Sequence, residues 1–328
     1  MRRLSVRTES WPIRGSFTIS RGSRVAAEVV VVEITDGDAV GRGECVPYAR
    51  YGETVAGTLA QIDAMAGPLA EGLDRTGLPE FLAAGAARNA VDCALWDLEA
   101  KRTGQPVWQL AGLARPQPLT TVYTISLDTP DAMAVAARAV DHRPILKLKL
   151  GGPAAEDVER VRAVRAVVPD CRLVADANEA WTVDDVDTCA PALAELGVEM
   201  IEQPVPAGQD EELASVHCPV PLCADESCHD RATVPPLIGR YQMVNIKLDK
   251  TGGLTEALKL AATARKAGLQ IMVGCMISTS LAMAPAVLVA QGAVVVDLDG
   301  PLLLARDREP GLTYRAAEVL PADPALWG

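Results

Sequence analysis

The amino-acid sequence predicts an α/β protein, in which a barrel of alternating strands and helices follows a smaller α+β domain. The main observation is a spacing, because five short apolar runs each end in a charged residue at steps of about 22 to 27 residues. A step of that size holds about one strand, one helix and two loops. If the runs are parallel strands of a (β/α)8 barrel, the charges share its carboxyl-terminal face, where the active sites of such barrels lie. The charged residues are Lys149, Asp176, Glu202, Asp225 and Lys247.

Length and composition agree with two domains. The chain has 328 residues, which suffice for a barrel of roughly 250 residues and a further domain. Hydrophobic residues make up 49% of it, so a large core can form. The net charge of −12 and the aromatic content of 4% argue against nucleic acid or an anionic membrane as a partner. Any anionic small-molecule substrate must therefore be bound by local lysines and arginines.

Residues 1–115 are predicted to begin with an antiparallel β unit. A β-branched run from Val25 to Thr35 is followed by the turn signal Asp36-Gly37 and a returning strand. Two polar segments, residues 11–24 and 47–52, are predicted to be surface loops. The β unit precedes helices without alternation, which is typical of an α+β domain.

Helical periodicity follows the β unit. It runs from Glu53 to Met65 and again from Ala83 to Arg102, and Gly104 is the stop signal of the second helix.

Residues 116–300 are predicted to form the barrel, because strict alternation of strand and helix patterns begins near Thr120. Residues 301–328 contain prolines and little periodicity, and we expect them to pack back on the first domain. Eight strands are predicted, with ends at Thr124, Lys149, Asp176, Glu202, Asp225, Lys247, Gly274 and Asp297.

Neither a membrane segment nor a zinc site is favoured. The amino terminus lacks an apolar signal region, and the uncharged stretch from Ile271 to Val296 is interrupted by glycine, serine and proline. It predicts a buried strand, a short helix and a buried strand. The eight cysteines lie scattered in mostly apolar segments, as in a reduced, cytoplasmic protein. One group of potential zinc ligands has the wrong spacing for a structural zinc site, because its cysteines are five residues apart. It comprises His217, Cys218, Cys223, Cys228 and His229.

Three acids at consecutive strand ends predict a metal site. Asp176, Glu202 and Asp225 offer carboxylate oxygens only, with no histidine or cysteine among them at the strand ends. Hard oxygen ligands select Mg²⁺, with Mn²⁺ as a substitute, over zinc or copper.

Lysines flank the predicted metal site. Lys147 and Lys149 are two residues apart on one strand, so both side chains point into the barrel. Lys247 lies four strands further on, across the barrel mouth. Two amines on opposite faces of one carbon can act as two bases, and burial together with a neighbouring cation would lower a lysine pKa toward neutrality. The reaction class that this set predicts is removal of a proton next to a carboxylate.

These motifs resemble the enolase superfamily, in its muconate-lactonising subgroup, over nearly the whole chain. An Asp-x-Asp at 297–299 resembles the dipeptide epimerases of that subgroup, and ARNAVDCALWDLEAK, NIKLDKTGGLTEAL and DLDGP are especially similar to the bacterial L-Ala-D/L-Glu epimerases. The resemblance implies a modified TIM barrel of (β/α)7β type with an N-terminal capping domain. The superfamily motifs are Lys-x-Lys at 147–149, Asp-Ala-Asn at 176–178, Glu-Gln-Pro at 202–204, Asp-Glu-Ser at 225–227 and the lysine at 247.

The resemblance also implies a reaction and its residues. The reaction would be Mg²⁺-dependent proton transfer through an enediolate at the C-terminal residue of L-Ala-D-Glu or L-Ala-L-Glu, in murein peptide metabolism. The two surface loops would set specificity. The implied roles are Lys149 and Lys247 as bases, Asp176, Glu202 and Asp225 as magnesium ligands, Lys147 on the reacting carboxylate, Thr124 on the peptide, Asp297 and Asp299 on the ammonium, and Arg24 on the glutamate side chain.

Several alternatives remain at this point. Arg21 and Arg50 compete with Arg24 for the substrate side chain, and Thr279 stands where many relatives carry a glutamate that supports the second lysine. The same scaffold also serves epimerases of other acidic or hydrophobic dipeptides, cycloisomerases, N-acylamino-acid racemases and acid-sugar dehydratases. A non-catalytic binding protein is the alternative of a different class. Homo-oligomers are common among such barrels.

Overall fold

The computed structural model describes all residues from Met1 to Gly328. A three-stranded antiparallel sheet comes first, in the order β1-β2-β3. Asp36 pairs with Ala39 and Gly37 adopts a φ of 63°, which confirms the predicted hairpin turn. The three strands are β1 (Arg3–Ile19), β2 (Gly22–Asp36) and β3 (Ala39–Cys45).

The prediction of a surface loop over residues 11–24 is wrong. After a register shift beyond Pro12, pairing between β1 and β2 resumes at Phe17 and continues to a tip at Ser20 and Arg21. The segment is thus a hairpin arm. Its polar composition is misleading because the arm bonds its own backbone groups and therefore does not need a continuous apolar face.

Four helices complete the first domain, and the third packs closely on the sheet. Gly41 and Gly43 explain the contact, because an added Cβ would lie 2.1 Å from the carbonyl oxygens of Ala94 and Ala90 respectively. The glycines of this segment therefore serve helix packing. The helices are α1 (Val55–Asp63), α2 (Ala66–Ala70), α3 (Ala86–Thr103), which ends at Gly104 with a φ of 69°, and α4 (Val107–Leu110).

After the short strand β4 (Leu119–Thr120) the chain forms eight parallel strands, as predicted. They are β5 (Tyr123–Ile125), β6 (Ile145–Lys149), β7 (Arg172–Asp176), β8 (Val198–Glu202), β9 (Leu222–Ala224), β10 (Met243–Ile246), β11 (Gln270–Val273) and β12 (Val295–Val296). The helices are α5 (Pro130–Ala139), α6 (Ala154–Val167), α7 (Val183–Glu195), α8 (Val234–Leu237), α9 (Leu248–Thr251), α10 (Leu254–Lys266), α11 (Ser280–Val289) and α12 (Gly300–Leu303).

The strands curl into a barrel with an apolar, buried floor. The backbone N–H of Val122 donates to the carbonyl of Val296 (2.9 Å), which joins the first strand to the last. Because side chains alternate along a strand, the residues two positions beyond each floor residue also point inward, at the level of the charged groups. The floor is a ring of eight buried residues, one at each strand: Val122, Ile145, Val174, Met200, Cys223, Met243, Met272 and Val295.

Two connections depart from the alternation. The segment after β8 contains only the 3-10 turn Glu211–Ser215, and the segment after β9 contains the single-turn helix α8. Prolines are frequent in both segments and cannot donate a backbone hydrogen bond, which limits helix length. The uncharged stretch forms β11, α11 and β12, as predicted, and none of the helices has the length and apolarity needed to cross a membrane.

Side chains of α3 form hydrogen bonds that join the capping domain to the barrel. Arg88 donates to the carbonyl of Thr251 (2.7 Å), and the Asp92 carboxylate accepts from the Thr255 backbone N–H (2.9 Å). Asp249 accepts from the Asn89 amide (2.8 Å). One face of α3 therefore holds the segment that follows β10.

The last residues return to the same helix. The small strands β13 (Tyr314–Arg315) and β14 (Glu318–Val319) form a sheet with β4. The Trp327 indole N–H donates to the Cys93 carbonyl (3.0 Å), and the Gly328 N–H donates to Asp97 (2.7 Å).

Candidate active site

Three buried carboxylates lie side by side at the carboxyl-terminal ends of neighbouring strands. Asp176 and Glu202 are the last residues of β7 and β8, and Asp225 follows β9 directly. Their residues are at most 1% exposed. The strand alternation that puts apolar residues in the floor turns these side chains into the barrel mouth.

Two lysines form ion pairs with these acids. Lys147 Nζ lies 2.6 Å from Glu202, 2.7 Å from Asp297 and 3.2 Å from Asp176. Lys149 Nζ lies 2.5 Å from Asp176. The predicted inward orientation of both lysines is confirmed, because their ammoniums contact carboxylates at the ends of β7 and β8.

Burial raises the pKa of all three acids, and neighbouring charges decide the net direction for each. Burial raises the pKa of Asp176, but the ammoniums of Lys149 and Lys147 outweigh it and hold this pKa below its ordinary value. Burial and the neighbouring Asp176 raise the pKa of Glu202 to about 7. Burial likewise raises the pKa of Asp225, but Lys247 and a further lysine, Lys250, hold it well below the ordinary range.

Lys247 faces Lys149 from across the barrel. It follows β10, four strands along the ring from β6, and its Nζ lies 2.6 Å from Asp225 Oδ2. Burial lowers its pKa, but Asp225 and Glu202 outweigh burial and hold it well above its ordinary value, opposite to the expected direction. A divalent cation on these carboxylates would compensate their charge and leave burial and the Lys147 ammonium, which both lower the pKa.

The donor set fits magnesium. The three carboxylates at the ends of adjacent strands offer oxygen ligands only, which is the chemistry that Mg²⁺ prefers. Asn245 donates to Glu202 Oε1 (2.7 Å), so the central carboxylate is also held from the side. The histidines and cysteines considered for zinc do not come together, and the one group of three potential ligand residues whose ligand atoms lie within 4.8 Å of one another is Cys275 with Asp297 and Asp299.

The two lysines line a common cavity of about 200 Å³ under the capping domain, which we call the reaction cavity. Arginine and tyrosine side chains from the cap close it on one side, and apolar residues of the hairpin arm close it on another. Its lining includes Phe17, Ile19, Arg24, Tyr48, Tyr51, Lys149, Asp225, Lys247 and Met276.

Of the three candidate arginines, two are bound to protein carboxylates. Arg21 donates to Glu226 (2.7 Å) and to Glu179 (3.1 Å), and Arg50 forms a two-bond pair with Glu179. Arg24 also lines the cavity but forms no ion pair, and its guanidinium lies 5.3 Å from the centre of a tyrosine ring.

Asp297 and Asp299 lie beside Cys275, and Thr124 is hydrogen-bonded to Asp299. Asp299 accepts from the Thr124 backbone N–H (2.7 Å), and Asp297 accepts from Lys147 (2.7 Å). Burial and the adjacent Asp297 raise the pKa of Asp299 to about 7. Thr124 lines a separate cavity, with Phe17 and Ile13 in the wall that it shares with the reaction cavity.

Thr279 takes part in a buried network that the sequence did not indicate. Its backbone N–H donates to Glu44 (2.8 Å), and Arg308 donates to Glu44 (2.6 Å) and Glu9 (2.6 Å). The carboxylate at this end of the barrel thus comes from the capping domain. A glutamate at position 279 would place a second carboxylate against that of Glu44.

Gln203 is a further residue without an assigned role in the sequence. Its Oε1 accepts from the backbone N–H groups of Asp225 (2.8 Å) and Ser227 (3.1 Å). Its φ of 31° is unusual for a residue other than glycine and is typical of a constrained functional site. The Glu-Gln-Pro motif was its only signal.

Comparison with known proteins agrees with this geometry. Residues 1–112 match the mandelate racemase / muconate lactonizing enzyme N-terminal domain, and residues 131–307 match the enolase C-terminal domain-like family. The L-Ala-D/L-Glu epimerase of Escherichia coli K12 is 47% identical, over 97% of this chain and 99% of the relative. An N-acetyl-D-glutamate racemase of Pseudoalteromonas is 45% identical, over 92% and 95%.

Solved structures give the same picture. An enolase family member from Agrobacterium tumefaciens, with homology to dipeptide epimerases and bound to sodium and L-Ala-L-Glu, is 54% identical with a TM-score of 0.97, over 100% of both chains. A dipeptide epimerase from Enterococcus faecalis V583, complexed with Mg and L-Leu-L-Tyr, is 32% identical with a TM-score of 0.91, over 98% and 97%.

Proposed function

The chain belongs to the mandelate racemase / muconate lactonizing enzyme family, and we propose that it is a magnesium-dependent dipeptide epimerase whose main substrates are L-Ala-D-Glu and L-Ala-L-Glu. The observation that carries the proposal is the pair of lysines, Lys149 and Lys247, which face one cavity from opposite sides of an eight-stranded ring. A substrate α-carbon between them would have one amine on each face.

The residues then act in sequence. Asp176, Glu202 and Asp225 would hold Mg²⁺, which when bound stabilises the negative charge that develops on the substrate carboxylate as its α-proton leaves. One lysine removes the α-proton from its face, and the other delivers a proton to the opposite face. In the reverse direction the two exchange roles. Lys147 would stay positively charged beside the reacting carboxylate of the substrate.

Substrate binding is proposed from charge. Asp297 and Asp299 would hold the α-ammonium of the dipeptide, because two acids at the barrel mouth attract a cation. Arg24 would bind the side-chain carboxylate of glutamate, since Arg21 and Arg50 are already paired with Glu179.

Proton exchange in D₂O tests the reaction. With Mg²⁺ and L-Ala-L-Glu, deuterium should enter the α position of glutamate and the diastereomer should accumulate, as followed by mass and NMR. N-acetyl-L-glutamate, which lacks the ammonium, is the matched comparison substrate. Faster exchange in N-acetyl-L-glutamate would assign the chain to N-acylamino-acid racemases, and no exchange with any acidic dipeptide would refute the epimerase.

The variant Arg24→Met tests side-chain recognition. A charge-assisted hydrogen bond contributes roughly 1.5–3 kcal/mol, so kcat/KM for L-Ala-L-Glu should fall about 10- to 100-fold. The value for L-Ala-L-Met should change little, because methionine carries no charge. Arg14→Met, in the same hairpin arm, is the control. An equal loss for both dipeptides would argue against Arg24 as the specificity residue.

We further propose that the enzyme works in the cytoplasm on murein-derived dipeptides. The support is chemical: all eight cysteines are free thiols, as expected in a reducing compartment.

A further inference from the structure

Lys250 is a buried lysine that none of the roles above uses. It lies in α9, three residues after Lys247, and its side chain is 0% exposed. Its ammonium donates to Asp225 Oδ1 (2.6 Å), to the Asp225 carbonyl (2.5 Å) and to the Asn245 carbonyl (2.9 Å). An ammonium has three N–H groups, so no donor is left for a substrate.

Each oxygen of the Asp225 carboxylate accepts a hydrogen bond from a different lysine. Oδ2 accepts from Lys247, which lines the reaction cavity, while Oδ1 accepts from Lys250. Lys250 lines a different cavity of about 560 Å³, which we call the rear cavity. Asp225 therefore has one oxygen directed into the site and one held behind it.

The two carbonyls that Lys250 binds lie where a strand pair ends. The last paired residues of β9 and β10 are Ala224 and Val244. Asp225 and Asn245 follow directly, and the Lys250 ammonium joins their carbonyls in place of a backbone hydrogen bond. One side chain thus fixes a metal ligand relative to the strand that carries the second base.

We propose that Lys250 is a positioning residue that makes Asp225 a one-oxygen ligand and thereby strengthens Mg²⁺ binding. The inference rests on the proposed function for the metal site. Charge alone predicts the opposite sign, since an ammonium beside a ligand repels a cation. Groups that orient metal ligands typically change metal affinity about 10- to 100-fold, and here the orienting effect dominates.

Calorimetric titration with Mg²⁺ alone tests the proposal. In Lys250→Met, which keeps most of the side-chain length without the charge, the Kd should rise about 10- to 100-fold. Lys266→Met, at the exposed end of α10, is the matched control and should leave the Kd unchanged. An unchanged or lower Kd in Lys250→Met overturns the proposal.

Chemical rescue separates orientation from charge. Lys250→Ala lacks the atoms of propylammonium, and because Lys250 lines the rear cavity we expect added propylammonium to take their place and restore the Mg²⁺ affinity. Tetramethylammonium has the same charge without N–H donors and should not. Equal rescue by both ions, or by neither, overturns the proposal. Failure of both variants to fold, judged by circular dichroism, would also overturn it, by assigning Lys250 to stability.

The titration is independent of the substrate. It contains no dipeptide, so it gives the same answer even if the dipeptide assignment fails. Absence of α-proton exchange in the unmodified enzyme would refute the proposed function alone.

Discussion

Lys149→Ala and Lys247→Ala should each abolish epimerisation but retain proton exchange with opposite stereoisomers. Each variant keeps one of the two bases. That base can still remove the α-proton from the one isomer whose α-proton points toward it. Conversion between isomers needs both amines, so kcat should fall by at least about 10²–10⁴-fold, the usual contribution of a general acid or base.

The measurement is deuterium incorporation into L-Ala-L-Glu and L-Ala-D-Glu, each assayed separately in D₂O. Lys259→Ala, an exposed lysine of α10, is the control and should behave as the unmodified enzyme. If both variants exchanged the same isomer, or if either still epimerised at the normal rate, the two-lysine mechanism would be wrong.

Glu202→Gln should remove both Mg²⁺ binding and activity without unfolding the protein. Glu202 is the central acid, and glutamine keeps its shape while removing the charge. A catalytic metal ion contributes several kcal/mol, so kcat/KM should fall roughly 10³-fold or more. Titration of activity and of calorimetric heat with Mg²⁺ measures both effects. Glu199→Gln, an outward-facing acid on the same strand that pairs with Arg172, is the control.

Stability gives this variant a second readout. The folded-state pKa of Glu202, about 7, lies above its ordinary value of 4.5, so the folded protein binds the proton more tightly. This raised pKa makes stability fall as the pH rises from about 4.5 to about 7. Glutamine does not ionise, so the variant should not lose this stability as the pH rises. In EDTA at pH 8 the variant should therefore melt no lower than the unmodified protein, and a lower Tm would attribute the loss of activity to unfolding.

The regular features of the fold could be predicted because they repeat. One buried strand per step, each with a charge at its end, is a pattern that barrel geometry imposes on the sequence. The hairpin arm could not be predicted in this way, since its pairing depends on a register shift beyond Pro12 that leaves no periodic signal.

The site was predictable to a different degree. The sequence predicted the acids and the lysines at strand ends, because the apolar run before each one marks its position. Lys250 and Glu44 act through contacts between segments that are distant in the chain. The rise of the Lys247 pKa in the absence of a metal ion could not be predicted either, because the effect of Asp225 and Glu202 on it depends on distances that spacing cannot give.

The bonds between α3 and the segment after β10 limit how far this enzyme can be treated as modular. The capping domain contributes Arg24 to the reaction cavity, so exchanging it between relatives is an obvious route to new specificities. Yet the same domain, through Asn89 and Arg88, supports the chain immediately beyond Lys247. A transplanted cap would change the support of the proposed second base together with the proposed substrate contacts. Successful chimaeras will need the α3 face and residues 249–255 to be exchanged as a matched pair.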